Sequence, residues 1–386
     1  FVDQRRLAAR AQDVLKELDA EIEIGARLGD LSLSQQQLVE IAKVVSRNPS
    51  IVVFDEPTSS LGDKETRILF NVIDRMRTSG IAILYISHRI QEVMEIGDRV
   101  TVLRDGRNIE TRDVAGITPD EMVRLMVGRE LTEMFPKLDL AIGEPVLSVS
   151  ALGRAEQFES ITLDVRAGEI VGLAGLVGSG RTEVARAIFG LDPADAGEIR
   201  VRGRTVRIHS ARDGVAAGIA LVPEDRKREG IVPDLSVREN FTLPLIGRIT
   251  RFLLILAGRE RATVQQFADR LNLSPPRIER AIGTFSGGNQ QKVVLGKWLL
   301  AEPAVLILDE PTRGVDVGAK ADIHQIIGEF AKGGGAVLMI SSELPELLAV
   351  CDRIFVLHEG ELVAEIPRAA ASEESVMRAA TGQVHS

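Results

Sequence analysis

Two kinds of apolar run alternate along the chain. Short unbroken runs rich in β-branched residues, "IVVF" (51–54), "IAILYIS" (81–87), "VLIL" (305–308) and "AVLMISS" (336–342), carry no polar alternation. That is the pattern of strands buried on both faces of a parallel sheet. Helical periodicity occupies 35–46 and 63–78 around the first run, and 289–300 and 318–332 around its later counterpart. Strand and helix in turn predict an α/β sheet. Two further segments, "VTVLRDGRNIE" and "IFVLHEGELVAEI", read as hairpins turning at Asp105-Gly106 and Glu359-Gly360.

The pattern occurs twice. "LSLSQQQLVEIAKVVSRNPSIVVFDEPTSSL" (31–61) matches "FSGGNQQKVVLGKWLLAEPAVLILDEPTRGV" (285–315), so that Ser32, Asp55 and Glu56 stand opposite Ser286, Asp309 and Glu310. The same register continues through "ISHRIQEV" (86–93) against "ISSELPEL" (340–347), and "DRVTVLRDG" (98–106) against "DRIFVLHEG" (352–360). Such self-similarity marks two copies of one domain. The first copy occupies 1–135, a polar, proline-containing linker 136–145, and the second copy 146–386.

Composition narrows the class. The chain has 386 residues, 45% of them hydrophobic and 27% charged, as in ordinary globular domains. A net charge of -9 gives no electrostatic reason to expect nucleic acid. The single cysteine, Cys351, excludes an internal disulfide. The apolar runs at 252–258 and 293–308 are too short or too interrupted to span a bilayer.

Candidate chemistry concentrates in three motifs. "GEIVGLAGLVGSGRTEVARAIFG" (168–190) runs strand, glycine loop, helix. It fits a phosphate loop in which Gly175, Gly178, Ser179 and Gly180 let backbone N–H groups surround an anion, and Thr182 offers its hydroxyl to Mg²⁺. Arg181 stands where that motif has lysine. "VLILDEPT" places Asp309 at a strand end, suited to hold Mg²⁺, and Glu310 after it, suited to polarise an attacking water. Asp55 and Glu56 repeat the pair. "FSGGNQQ" supplies Ser286, Gly287, Gly288, Asn289 and Gln290 before a helix, and Ser32, Ser34 and Gln35 stand in the matching positions of the first copy.

Together these residues resemble the ATP-binding-cassette ATPases: Ser286–Gln290 match that family's signature, Asp309-Glu310 its Walker B motif, and His88 its switch histidine. In finer detail "GLVGSGRTE", "LVPEDRKREG", "FSGGNQQKVVLGKWL" and "LDEPTRGVDVGAK" are similar to the fused two-cassette subunits of bacterial monosaccharide importers of the ribose, galactose and xylose type. The resemblance implies ATP and Mg²⁺ as ligands and membrane permease subunits as partners, reaching through them an extracytoplasmic sugar-binding protein. It also implies a peripheral location on the cytoplasmic face of the inner membrane, with a second copy of the subunit in the assembly. Residues 231–246 are then the permease-facing part, and Glu224 stands where the wider family has glutamine.

The resemblance further implies that two cassettes stack head to tail, each phosphate loop facing the other's signature. One such pairing would carry Arg181, Ser342 in place of histidine, and Ser34 in place of glycine, and would bind nucleotide but hydrolyse poorly. The other would take Asp55, Glu56 and His88 together with the intact Ser286–Gln290. The first copy's phosphate loop would fall about 80 residues before Phe1, so the expectation is an N-terminally truncated subunit with a weakly active or inactive chain. His209, His324, His358 and His385 belong to no motif and read as surface or packing residues. The alternatives are a nucleoside importer of the same architecture, a soluble two-cassette ribosome-binding factor, and a nucleotide-binding module without hydrolysis.

Overall fold

The structure, a computed structural model, describes residues 3–383 apart from 19, 21, 48, 59–60, 88, 105, 128–139, 177, 246–249, 252–253 and 256. His88, Asp105, His385 and residues 136–139 of the proposed linker therefore lie outside the described residues. The chain divides into two units, 1–131 and 132–386.

In the first unit, Asp3 opens helix Gln4–Glu17 by accepting the N–H groups of Arg5 and Arg6, both at 3.1 Å. Helices Leu33–Val45 and Asp63–Thr78 flank strand β1 (Ile51–Asp55), which pairs in parallel with β2 (Ala82–Ile86). Helix Ile90–Ile96 precedes a hairpin of β3 (Arg99–Arg104) and β4 (Arg107–Asp113), and helix Pro119–Val127 follows. Leu38, Ile41, Val52, Phe54, Leu69 and Ile73 anchor the core.

The second unit opens with an antiparallel sheet of β5 (Pro145–Arg154), β6 (Phe158–Arg166), β8 (Ala196–Val201) and β9 (Arg204–Val206). Beside it runs a six-stranded sheet in the order β10 (Ile219–Val222), β13 (Val305–Asp309), β14 (Ala336–Ile340), β7 (Ile170–Gly175), β15 (Arg353–His358) and β16 (Glu361–Pro367). All its pairings are parallel except the last. Short β11 (Thr250–Arg251) and β12 (Leu254–Ile255) form a separate ladder.

Alternate residues of β13 enter opposite cores. Val305 and Ile307 pack with β5, β6 and helix Arg181–Phe189, whereas Leu306 and Leu308 pack with helices Gly287–Leu299 and Val317–Lys332. The expectation of burial on both faces is met here, and all five residues of β13 and of β14 are buried. It fails in the first unit. Ile51, Val53, Leu84 and Ile86 are 66%, 58%, 57% and 45% exposed, while their register partners Val305, Ile307, Leu338 and Ile340 are at most 1% exposed. An apolar run records what a strand is able to bury. Whether it is covered depends on elements elsewhere, and the described part of the first unit has no counterpart of β5, β6 and helix Arg181–Phe189.

The hairpin turn at Glu359-Gly360 has both residues at positive φ (46° and 82°), as a two-residue turn between twisted strands requires. No helix among the described residues is long and apolar enough to cross a membrane.

Candidate nucleotide site

Strand β7 delivers a glycine loop to the N-terminus of helix Arg181–Phe189, whose cap residue Gly180 has φ 99°. At Gly175 (φ 156°) a Cβ would stand about 2.6 Å from the Leu357 carbonyl and collide with the Ser179 hydroxyl. At Gly178 (φ 84°) open space surrounds the backbone, so its conformation alone demands glycine. The Ser179 carbonyl accepts from Gly360 N at 3.1 Å, which ties the loop to the β15–β16 turn. The buried Ser179 Oγ has no protein partner among the described residues. A cradle of glycines ending in a helix N-terminus, with a polar group left over, suits an anion.

Asp309, at the end of β13, is buried, and its Oδ1 has no protein partner among the described residues. Burial raises its pKa, opposed by a hydrogen bond from Thr182 and by the charge of Arg181. Glu310 is half-buried and held at φ 49° by a hydrogen bond from its N–H to the Ile340 carbonyl (3.0 Å). Its Oε2 accepts from Ser342 Oγ at 3.0 Å. Burial pushes this carboxyl up to about 7, against the opposing Ser342 hydrogen bond and Arg181 charge. The buried Arg181 turns back into the protein, Nη1 donating to the Ser341 carbonyl at 3.2 Å. Folding thus gathers Gly175, Gly178, Ser179, Gly180, Arg181, Thr182, Asp309, Glu310 and Ser342, which lie up to 167 positions apart.

Ser286 to Gln290 form a second cluster at the start of helix Gly287–Leu299. Asn289 Nδ2 donates to Ser286 Oγ (2.9 Å) and Gln290 Nε2 to the Phe285 carbonyl (3.0 Å). A Cβ on Gly288 would meet Ala319, and one on Gly287 would come within 2.6 Å of the Arg226 guanidinium. Arg226 donates to the carbonyls of Arg313 (2.6 Å) and Gly314 (2.9 Å), joining "LVPEDRKREG" to the loop after Glu310. Glu224 of the same segment forms an ion pair with Arg313. Sequence reading singled out neither arginine.

In the first unit Ser32 caps helix Leu33–Val45 with Gln35 in a capping box, and Ser34 Oγ lies 3.0 Å from Ser32 Oγ. Glu56 repeats the left-handed backbone of Glu310 (φ 45°), with its N–H on the Ile86 carbonyl at 2.9 Å. A non-glycine residue in this region is sterically costly, so its recurrence at both glutamates points to a constrained side-chain direction. Asp55 and Glu56 are exposed where Asp309 is buried, following the uncovered face of β1.

A glycine phosphate loop between a parallel strand and a helix, with a buried carboxylate on the second strand away, defines the class: a P-loop ATP-binding cassette. A family model described as ABC transporter matches residues 2–59 and 158–313. An Agrobacterium fabrum protein whose name reads ribose/galactose/methyl galactoside import ATP-binding protein 3 is 54% identical over 383 residues, covering 99% of this chain and 77% of that protein. A ribose import ATP-binding protein of Rhodococcus jostii is 46% identical over 382 residues, covering 99% of this chain and 76% of the relative. A nucleotide-free ATP-binding cassette from an ABC transporter superposes with TM-score 0.51 at 22% identity, covering 63% of this chain and 100% of the other. The chain belongs to the ABC transporter family, among its ATP-binding proteins.

Proposed function

We propose that this chain is the ATP-binding, energy-coupling component of an importer for a monosaccharide of the ribose or galactose type. The observation that carries nucleotide binding is the pair of buried, unpartnered acceptors, Ser179 Oγ and Asp309 Oδ1, beside a glycine cradle at a helix N-terminus. The sugar class rests on the named import relatives. The partners are membrane permease subunits and, through them, an extracytoplasmic sugar-binding protein, with the chain at the cytoplasmic membrane face. The internal repeat supports a two-cassette organisation.

Asp309 and Thr182 fit Mg²⁺, since one oxygen of Asp309 is unused and the Thr182 hydroxyl is beside it. Among the described residues no group of three or more His, Cys, Asp or Glu side chains forms a metal site, which suits an ion completed mainly by phosphate oxygens and water. When bound, Mg²⁺ neutralises charge on the β- and γ-phosphates. The loop N–H groups and Ser179 hold the phosphates. Glu310 accepts a proton from water as its oxygen bonds to the γ-phosphorus and the bond to the β-bridging oxygen breaks.

Two side chains argue that this loop binds better than it turns over. Arg181 is committed to the Ser341 carbonyl, and Ser342 supplies a hydroxyl where the first copy has His88. We assign the hydrolytic role to Asp55, Glu56 and His88 of the first copy, the intact signature to Ser286–Gln290 of the second, and the weaker signature to Ser32, Ser34 and Gln35. Fluorescent ATP binding and phosphate release on the chain test this. Tight Mg²⁺-dependent binding with slow turnover is expected, and Arg181→Lys with Ser342→His should raise turnover at least about tenfold. Rapid turnover by the unaltered chain, abolished by Glu310→Gln and untouched by Glu56→Gln, would overturn the assignment.

A further inference from the structure

Among the buried glutamates that the site chemistry leaves unused, one from each unit stands in register with the other, Glu92 and Glu346. They are 6% and 3% exposed, an unusual setting for a carboxylate unless it is fully bonded. Glu346 Oε1 accepts from the Thr312 hydroxyl at 2.8 Å and faces His324 Nε2 at 3.0 Å, while Oε2 has no hydrogen-bond partner among the described residues. Glu92 accepts from Thr58 at 2.7 Å, Ser87 at 2.9 Å and Tyr85 at 2.8 Å, with Arg89 at 3.3 Å. Position 324 corresponds to Phe70 and position 85 to Met339, so the compensating partners have changed sides. The hydroxyls have not: Thr58 and Thr312 correspond, as do Ser87 and Ser341.

The placement of those hydroxyls matters. Thr312 lies two residues beyond Glu310, and Ser341 immediately precedes Ser342, whose hydroxyl touches Glu310. Thr58 lies two residues beyond Glu56, and Ser87 immediately precedes His88. Ser87 and Ser341 also accept the N–H groups of Arg89 and Glu343, both at 3.0 Å, which fixes each loop's exit into the helix carrying the glutamate.

We propose that Glu346 and Glu92 are positioning residues that clamp the loop after β13, or β1, to the loop after β14, or β2, so that residues 310 and 342, and residues 56 and 87, move as one body. Glu92 bridges the Thr58 and Ser87 hydroxyls directly, whereas Glu346 holds Thr312 from the helix that the loop after β14 enters, and in both a buried carboxylate that lost its hydroxyl would be left less compensated. The functional consequence rests on the reading that Glu310 and Glu56 serve ATP hydrolysis. The clamp itself does not.

Hydrogen exchange on the nucleotide-free chain tests the clamp directly. Thr312→Val removes the hydroxyl at nearly constant volume. It should speed amide exchange at least about tenfold in both 311–316 and 341–344, and leave 306–308 and 337–339 protected. Thr312→Ser should restore wild-type exchange. Faster exchange confined to 311–316, or spread equally over the second unit, would sink the clamp, as would failure of the serine rescue. In turnover assays Thr312→Val should lower kcat at least about tenfold with KM within about twofold, and Thr312→Ser should recover it. An unaltered chain that binds no ATP would defeat the nucleotide reading alone, with the exchange result still deciding the clamp.

Discussion

Lys297 occupies the buried face of helix Gly287–Leu299, its Nζ donating to the Gly230 carbonyl and lying 5.5 Å from the Trp298 ring centroid. Burial pulls its pKa down from 10.5 to about 8. Between those values the unfolded chain holds the proton that the folded chain has released, so stability rises with pH across this window. Below pH 8 both states are charged and the full desolvation penalty, about 3 kcal/mol, remains. Methionine does not titrate. The stability of Lys297→Met relative to wild type should therefore fall by up to about 3 kcal/mol from pH 7.5 to 10. Trp298, the chain's one tryptophan, reports urea unfolding of this region. Parallel pH profiles for the two proteins would refute the burial argument. Lys297 also shows where sequence reading stops. Gly175–Thr182 and Asp309-Glu310 were legible because their residues are contiguous and chemically specific. Lys297 and Glu346 look like ordinary helix-surface charges until partners 34 to 67 positions away close around them.

Elements of the second unit meet at Arg353, which begins β15. Its Nε reaches Glu169 at 2.7 Å, Nη1 reaches Glu365 on β16 at 2.8 Å, and Nη2 donates to the Asp164 carbonyl on β6 at 2.7 Å. The guanidinium fork is thereby shared by the six-stranded sheet, the antiparallel sheet and the turn leading into β7. Glu169 is 2% exposed, so removing the cation leaves a buried carboxylate uncompensated. Arg353→Met should cost about 3–5 kcal/mol, and Arg353→Lys roughly half of that, because an ammonium cannot make the planar set of contacts. Urea unfolding followed at Trp298 measures both, and a loss below about 0.5 kcal/mol for the methionine variant would refute the hub. At this scale the sequence spoke clearly about kind and poorly about surroundings. Helix Asp63–Thr78 occupies the span its periodicity predicts, and the β15–β16 hairpin turns at its Glu-Gly pair. The apolar runs of β1 and β13 look alike, yet one is half exposed and the other wholly buried.

Strand β7 and the elements that cover its sheet, β5, β6 and helix Arg181–Phe189, account for that difference across the second unit. In the second unit it lies between β14 and β15, so the repeat's two strand groups belong to one six-stranded sheet, covered on both faces. Among the described residues of the first unit no strand takes that place: β1–β2 and β3–β4 remain separate two-stranded sheets. A two-stranded sheet presents an edge on each side and has little cooperativity of its own. The first unit must then rely mainly on one face of β1–β2 and its helices for stability, while Ile51, Val53, Leu84 and Ile86 gain far less from folding than their buried register partners. We expect protease at limiting dose to cut within residues 3–127 well before it cuts within 145–383, with a hydrophobic dye bound to the native chain. Replacing Val53 and Leu84 by threonine should weaken dye binding while changing stability by less than about 0.5 kcal/mol, because both side chains already face solvent. Equal protease resistance of the two units, or a large stability loss from those exposed-face substitutions, would show that this face is covered in solution.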